Sequence, residues 1–225
     1  MGEYAERYTP HSFMDGIKAL LLDVDGTILD TREYIYQATE HAFAENSLPV
    51  PTRDLMAKAA GKSFDEYVFF LAGRRDFDPL PVQTSHRVFQ LERLDLSAPF
   101  PGALETLTEL KKRGYKIATI TNRGRTTGKA TLDHAGISHL LDVSLFSEDA
   151  PELKPSPVPL NMALERMRLV PEEAVMVGDA DIDIEAGKRA GMKTIRATYG
   201  FHFDSESVEA DADIGNIREL LNIFK

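Results

Sequence analysis

Two carboxylates close an apolar run near the start of the chain, in Leu20-Leu21-Leu22-Asp23-Val24-Asp25-Gly26-Thr27. A run of this type, ended by glycine, predicts a buried strand entering a loop. Side chains two apart on extended backbone share a side, so Asp23 and Asp25 point together unless the turn at Gly26 parts them. Three later places carry comparable chemistry. Thr121 ends a β-branched run and is followed by Asn122; Lys154-Pro155 lies just past another apolar run; Asp179 and Asp183 stand at and just after a third. Each has an ordinary structural use: a turn, a sheet threonine, a solvated lysine, a helix-capping aspartate. On one edge of a parallel sheet, however, all of them converge. Several acids in one cleft repel unless a cation neutralises them. With oxygen donors and no cysteine in the chain, that cation is hard, and Mg²⁺ fits best. A carboxylate can attack phosphorus, a lysine and a threonine hydroxyl can hold phosphoryl oxygens, and a second aspartate can act as acid and then base. The set predicts phosphoryl transfer through an aspartyl-phosphate.

The elements that must position these groups follow from the apolar spacing. Strands are predicted over 18–23, 115–121, 143–146, 174–177 and 193–197. Helices are predicted over 103–113, with Leu104, Leu107 and Leu110 on one face, and over 126–135, 157–167, 181–190 and 217–224. Strand–helix alternation with apolar strands implies a doubly wound, Rossmann-like parallel sheet covered on both faces, an α/β fold. Residues 31–97 break the pattern. They predict helices alone: 31–46 begun by Thr31, 52–60 closed by Gly61, 64–72 begun by Ser63, and 82–94. The division is therefore an α/β core over 1–30 and 98–225, with an all-helical insertion over 31–97. The aromatic face Phe64, Tyr67, Val68 and Leu71 is read as helix packing. Residues 1–16 read as a polar lead-in without the apolar segment of a secretory signal.

Composition narrows the function. The 225 residues carry 43% hydrophobic and 28% charged residues and a net charge of −10. That describes an ordinary globular chain and argues against bulk binding to nucleic acid or an anionic membrane, both of which require a positive field. No run is long enough to span a bilayer. The lack of cysteine excludes disulfides and thiolate chemistry, and fits a cytoplasmic location.

Asp23-Val24-Asp25-Gly26-Thr27 resembles the D-x-D-G-T signature of the haloacid dehalogenase-like (HAD) hydrolases. Thr121, Lys154-Pro155 and Gly178-Asp179-Ala180-Asp181-Ile182-Asp183 resemble that superfamily's later motifs, in order. Val177 to Met192 is similar to the phosphoglycolate phosphatase-like branch, whose helical cap domain the insertion resembles. The resemblance implies a nucleophile and metal ligand at Asp23. It implies an acid/base at Asp25, with its backbone carbonyl on the metal. Thr121 and Lys154 would hold the phosphoryl oxygens, Gly26 and Asn122 would lend donors near the phosphate, Asp179 would ligate Mg²⁺ and Asp183 would support it. Ala180 and Val158 depart from the residues frequent in the family at those places. In the cap, Gly61-Lys62-Ser63 falls where the branch sends a loop into the active site, which makes Lys62 a candidate for substrate specificity.

The expected function is a Mg²⁺-dependent phosphatase acting on a small phosphorylated metabolite, phosphoglycolate-like or a sugar phosphate. The alternatives are a phosphomutase, which uses the same aspartate pair, and a non-catalytic binding protein, against which the retained buried charges argue. A dehalogenase is disfavoured by Asp25. Gly124-Arg125-Thr126-Thr127-Gly128-Lys129 is not a P-loop, because only three residues separate the glycines and Ala130 follows the lysine. The six histidines show no metal-ligand spacing and read as surface or packing residues. The expected assembly is a monomer or a homodimer.

Overall fold

The computed structural model describes residues 15–59, 62–201 and 207–225. The lead-in before Asp15, Gly61, and its predicted role as a helix stop lie outside them. The strands are β1 (Ala19–Leu22), β2 (Leu29–Asp30), β3 (Ala98–Pro99), β4 (Lys116–Ile120), β5 (Val143–Leu145), β6 (Ala174–Gly178), β7 (Lys193–Ala197) and β8 (Ala212–Ile214). The helices are α1 (Arg32–Glu45), α2 (Arg53–Lys58), α3 (Phe64–Ala72), α4 (Leu80–Glu92), α5 (Ala103–Lys112), α6 (Arg125–His134), α7 (Val158–Met167), α8 (Asp181–Arg189) and α9 (Leu220–Ile223).

Six strands form one parallel sheet in the order β5-β4-β1-β6-β7-β8. β1 is buried throughout, and its alternate residues feed two cores. Leu20 and Leu22 join Ile117, Val175 and Ile195 on one face, while Ala19 and Leu21 join Ala118, Leu160 and Met176 on the other. This double burial is why the strand reads as a continuous apolar run. Register then sets the site. Leu22 lies opposite Thr119 on β4 and Val177 on β6. The next steps along those strands bring Asp23, Thr121 and Asp179 to one sheet edge.

The helical stretch packs round its own cluster, including Tyr36, Phe43, Met56, Val68, Leu71 and Val82. Its two ends are tied together by β2 and β3, which pair antiparallel. Among the described residues no helix is long and apolar enough to cross a membrane.

Several local expectations are corrected. β8 is not among the strands expected from the sequence, since its three residues alternate buried, exposed, buried around Asp213 and give little apolar signal. α4 begins at Leu80 rather than Val82, because proline is compatible with a helix's first turn, where the missing N–H costs nothing. Leu104 is exposed on α5, whose buried face is Ala103, Thr106, Leu107 and Leu110. The last helix is a 3₁₀ turn over Ile217–Glu219 followed by α9. Thr52 caps α2 through Leu55 N–H, but Thr31 and Ser63 make no side-chain cap. The Thr31 hydroxyl is used at the site instead.

Candidate active site

Asp23 follows β1 directly, its N–H still bonded to the Val177 carbonyl at 2.9 Å. Burying a carboxylate there requires a partner, and Lys154 supplies it. The lysine ammonium lies 2.6 Å from Asp23 Oδ1 and 2.7 Å from Asp183 Oδ1, and donates to the Ile120 carbonyl at 2.6 Å. Its side chain is 1% exposed, so solvent hardly competes for it. Asn122 holds the lysine's backbone in a reciprocal pair: its Nδ2 donates to Lys154 O and its Oδ1 accepts from Lys154 N–H, both at 3.0 Å. This takes the side-chain amide of Asn122 away from the phosphate, near which the resemblance implies a backbone or amide donor. The Asn122 side chain positions the loop that carries Lys154.

Gly26 is corrected in a similar way. Its N–H bonds to Leu29 O at 2.9 Å, so it serves the turn. The need for glycine is steric. Its φ is +84°, and a Cβ there would sit 2.3 Å from Asp179 Oδ2. Asp179 packs against this bare backbone, with its Oδ2 accepting from Phe201 N–H at 2.8 Å and its Oδ1 3.4 Å from the Thr27 hydroxyl. Asp183 accepts from Ala180 N–H at 3.1 Å, so it caps α8 and also pairs with Lys154. Thr121 Oγ1 accepts from Arg123 N–H at 3.0 Å, which turns its hydroxyl hydrogen away from that amide.

The two aspartates of the first motif part company at the turn. Asp25 Oδ1 lies 2.5 Å from Arg123 Nη2 and accepts from the Thr31 hydroxyl at 2.6 Å. Arg123 is itself fixed over the Tyr34 ring at 5.0 Å. Sequence reasoning missed Arg123. Its position directly after Thr121-Asn122, at the sheet edge, was the available signal.

Charge in this cleft is unbalanced. Burial raises the Asp23 pKa well above the usual carboxylate value; Lys154 opposes the shift, while Asp183, Asp25 and Asp179 add to it. Asp179 is pushed up to about 7 by burial and then by Asp183. For Lys154 burial works against the charge, yet Asp183 and Asp23 together hold its proton above the usual lysine range. Carboxylate oxygens of Asp23, Asp179 and Asp183 lie within 4.8 Å of one another. Three buried acids with one ammonium among them fit a hard divalent cation, which would restore neutrality with oxygen donors only. Asp183, expected as a supporting residue, thus stands among the possible ligands, while the Asp25 carboxylate faces Arg123.

A cavity of about 530 Å³ opens on these groups. The sheet edge contributes Asp23, Asp25, Thr121 and Lys154, and the helical stretch contributes Tyr36, Met56, Phe64 and His86. Lys62 also lines it; the side chain is exposed, with its ammonium 5.2 Å from the centre of the Phe70 ring.

Comparison with known proteins bears on the whole arrangement. Residues 20–197 match the family model described as haloacid dehalogenase-like hydrolase. A phosphoglycolate phosphatase of Aquifex aeolicus is 32% identical over 188 residues, covering 82% of this chain and 86% of that one. The pyrophosphatase PpaX of Bacillus mycoides is 32% identical over 211 residues, covering 92% and 97%. Among solved structures, a variant of CbbY from Rhodobacter sphaeroides in complex with xylulose-(1,5)bisphosphate superimposes with a TM-score of 0.79 at 26% identity, covering 93% of this chain and 99% of that one.

Proposed function

The chain belongs to the haloacid dehalogenase-like hydrolase family and is a phosphatase; on that premise we propose that it hydrolyses a small phosphorylated metabolite through an aspartyl-phosphate on Asp23. The observation that carries the reading is the separation of Asp23 from Asp25. One carboxylate sits with Lys154 among buried acids, and the other is held by Arg123 and Thr31. Two carboxylates in different environments can take two roles.

In this reading Asp23 attacks phosphorus and the bond to the leaving oxygen breaks. Lys154 and the Thr121 hydroxyl hold the phosphoryl oxygens as charge builds on them. Asp25, set at a fixed angle by Arg123, protonates the leaving oxygen. It then takes a proton from the water that attacks the aspartyl-phosphate, and inorganic phosphate departs with Asp23 restored. Mg²⁺ held by Asp23, Asp179 and Asp183, with the Asp25 carbonyl, would supply positive charge that draws the phosphate in and offsets the carboxylates. Residues 31–97 act as a cap over a core formed by 1–30 and 98–225. Two features support that division: the separate cluster round Phe43 and the β2–β3 tie at its base. Phosphoglycolate-like esters and sugar phosphates are the substrates to try first, from the names of the relatives and from CbbY's complex.

The test is phosphate release across a panel of phosphorylated metabolites, with and without EDTA. Turnover is expected on at least one ester, stopped by chelation and restored by Mg²⁺. Ca²⁺ is expected to inhibit, since its looser coordination disturbs in-line geometry. Full activity after exhaustive chelation would contradict the metal assignment.

A further inference from the structure

One face of α4 turns four polar side chains toward the cavity. Gln83, His86, Arg87 and Gln90 are spaced i, i+3, i+4 and i+7, which makes one stripe on a helix, and all of them line the space above Asp23. His86 and Gln90 are only 8% and 4% exposed. Among the described residues His86 Nε2 has no hydrogen-bond partner. The side chains of Gln83, Arg87 and Gln90 likewise make no hydrogen bond or ion pair with any described residue.

Other residues of α4 are committed to structure. Val82 is in the helical cluster, Thr84 bonds back to the Leu80 carbonyl, and Ser85 accepts from Asn46. A buried polar group costs stability unless something bonds to it. A polar stripe with two buried members and no partners among the described residues, facing the nucleophile across a cavity, is arranged for a ligand. Its character is readable. Burial and the nearby Arg123 lower the His86 pKa to about 3, so the ring bonds as a neutral group and adds no charge. The cavity wall from the helical stretch carries the cations Arg32, Lys62 and Arg87 against the single acid Asp65. Arg32 already donates to the Gly200 carbonyl, whereas Arg87 is exposed at the wall and makes no ion pair with any described residue.

We propose that this face of α4 is the specificity-determining surface: it recognises an organic phosphate bearing a second, oxygen-rich anionic group, with His86 and Gln90 bonding its oxygens and Arg87 facing its charge. This rests on the phosphatase reading of Asp23 and extends it to the part of the substrate that does not react. A cavity of about 530 Å³ has room for such a group beyond the reacting phosphate.

The test compares kcat/KM on esters with a second anion (phosphoglycolate and a sugar bisphosphate) with that on p-nitrophenyl phosphate, which has none. Wild type is expected to prefer the better of the first two by at least about tenfold. Arg87→Gln and Gln90→Leu are each expected to cut that preference about tenfold, mainly through KM, with Arg87→Lys recovering part of it. Arg87 is exposed, so its variants leave the fold intact, and thermal melting checks the buried Gln90 variant. An unchanged preference in both variants, or no preference in wild type, overturns the proposal. A wild type inert on every ester, or an Asp23→Asn variant that still turns over, would instead overturn the phosphatase mechanism beneath it.

Discussion

Asp23→Asn is expected to lower kcat by at least about a hundredfold on every substrate, while the protein still melts cooperatively. The amide keeps the size of the side chain and can still accept from Lys154, but it is no nucleophile. Folding should not suffer. The surroundings disfavour the ionised Asp23, since burial and three other aspartates raise its pKa despite Lys154. Removing that charge relieves more repulsion than attraction, so the metal-free variant should melt at or above the wild-type temperature near neutral pH. Residual turnover above roughly a hundredth of wild type would count against Asp23 as nucleophile, once mass spectrometry shows that the amide has not hydrolysed.

Lys154→Met is expected to cost both activity and stability. The lysine is fully buried between Asp23 and Asp183, and removing one partner of a buried ion pair typically costs about 3–5 kcal/mol because the other is stranded. The loss should depend on pH. Asp23 and Asp179 have folded-state pKa values raised above the ordinary carboxylate value, Asp179 to about 7. Their contribution to stability is therefore present below the unfolded pKa of about 4 and is lost as pH rises through the folded values. Without Lys154 this fall steepens, so denaturant melts in EDTA should separate variant from wild type more at pH 8 than at pH 5. Mg²⁺ at pH 8 should return part of the difference, since a ligand that binds only the folded state stabilises it by mass action. A uniform loss at both pH values would mean that Lys154 serves packing rather than charge.

Much of this site could be read from the chain because its groups stand where strong local signals end. Asp23, Thr121 and Asp179 each close an apolar strand buried on both faces, and parallel register places such ends together. What escaped has no such marker. β2 and β3 are two residues long and exist through each other. Arg123 looks like any arginine in a loop until Asp25 turns to meet it. The resemblance implies donors near the phosphate from Asn122 and Gly26, yet backbone groups claim the Asn122 side-chain amide and the Gly26 N–H. The polar stripe on α4 is the clearest case. Glutamine, histidine and arginine at helical spacing describe a solvated face in sequence, and only the cavity beneath shows that His86 and Gln90 are buried.

The covalent step itself is tested most directly by the stereochemical course at phosphorus. A phosphorothioate ester made chiral at phosphorus with ¹⁷O and ¹⁸O would be hydrolysed by the wild-type enzyme in ordinary water and the configuration of the product thiophosphate determined. Attack by Asp23 followed by attack of water is two in-line displacements, so retention is predicted. Inversion would mean that water attacks the substrate directly and that no aspartyl-phosphate forms.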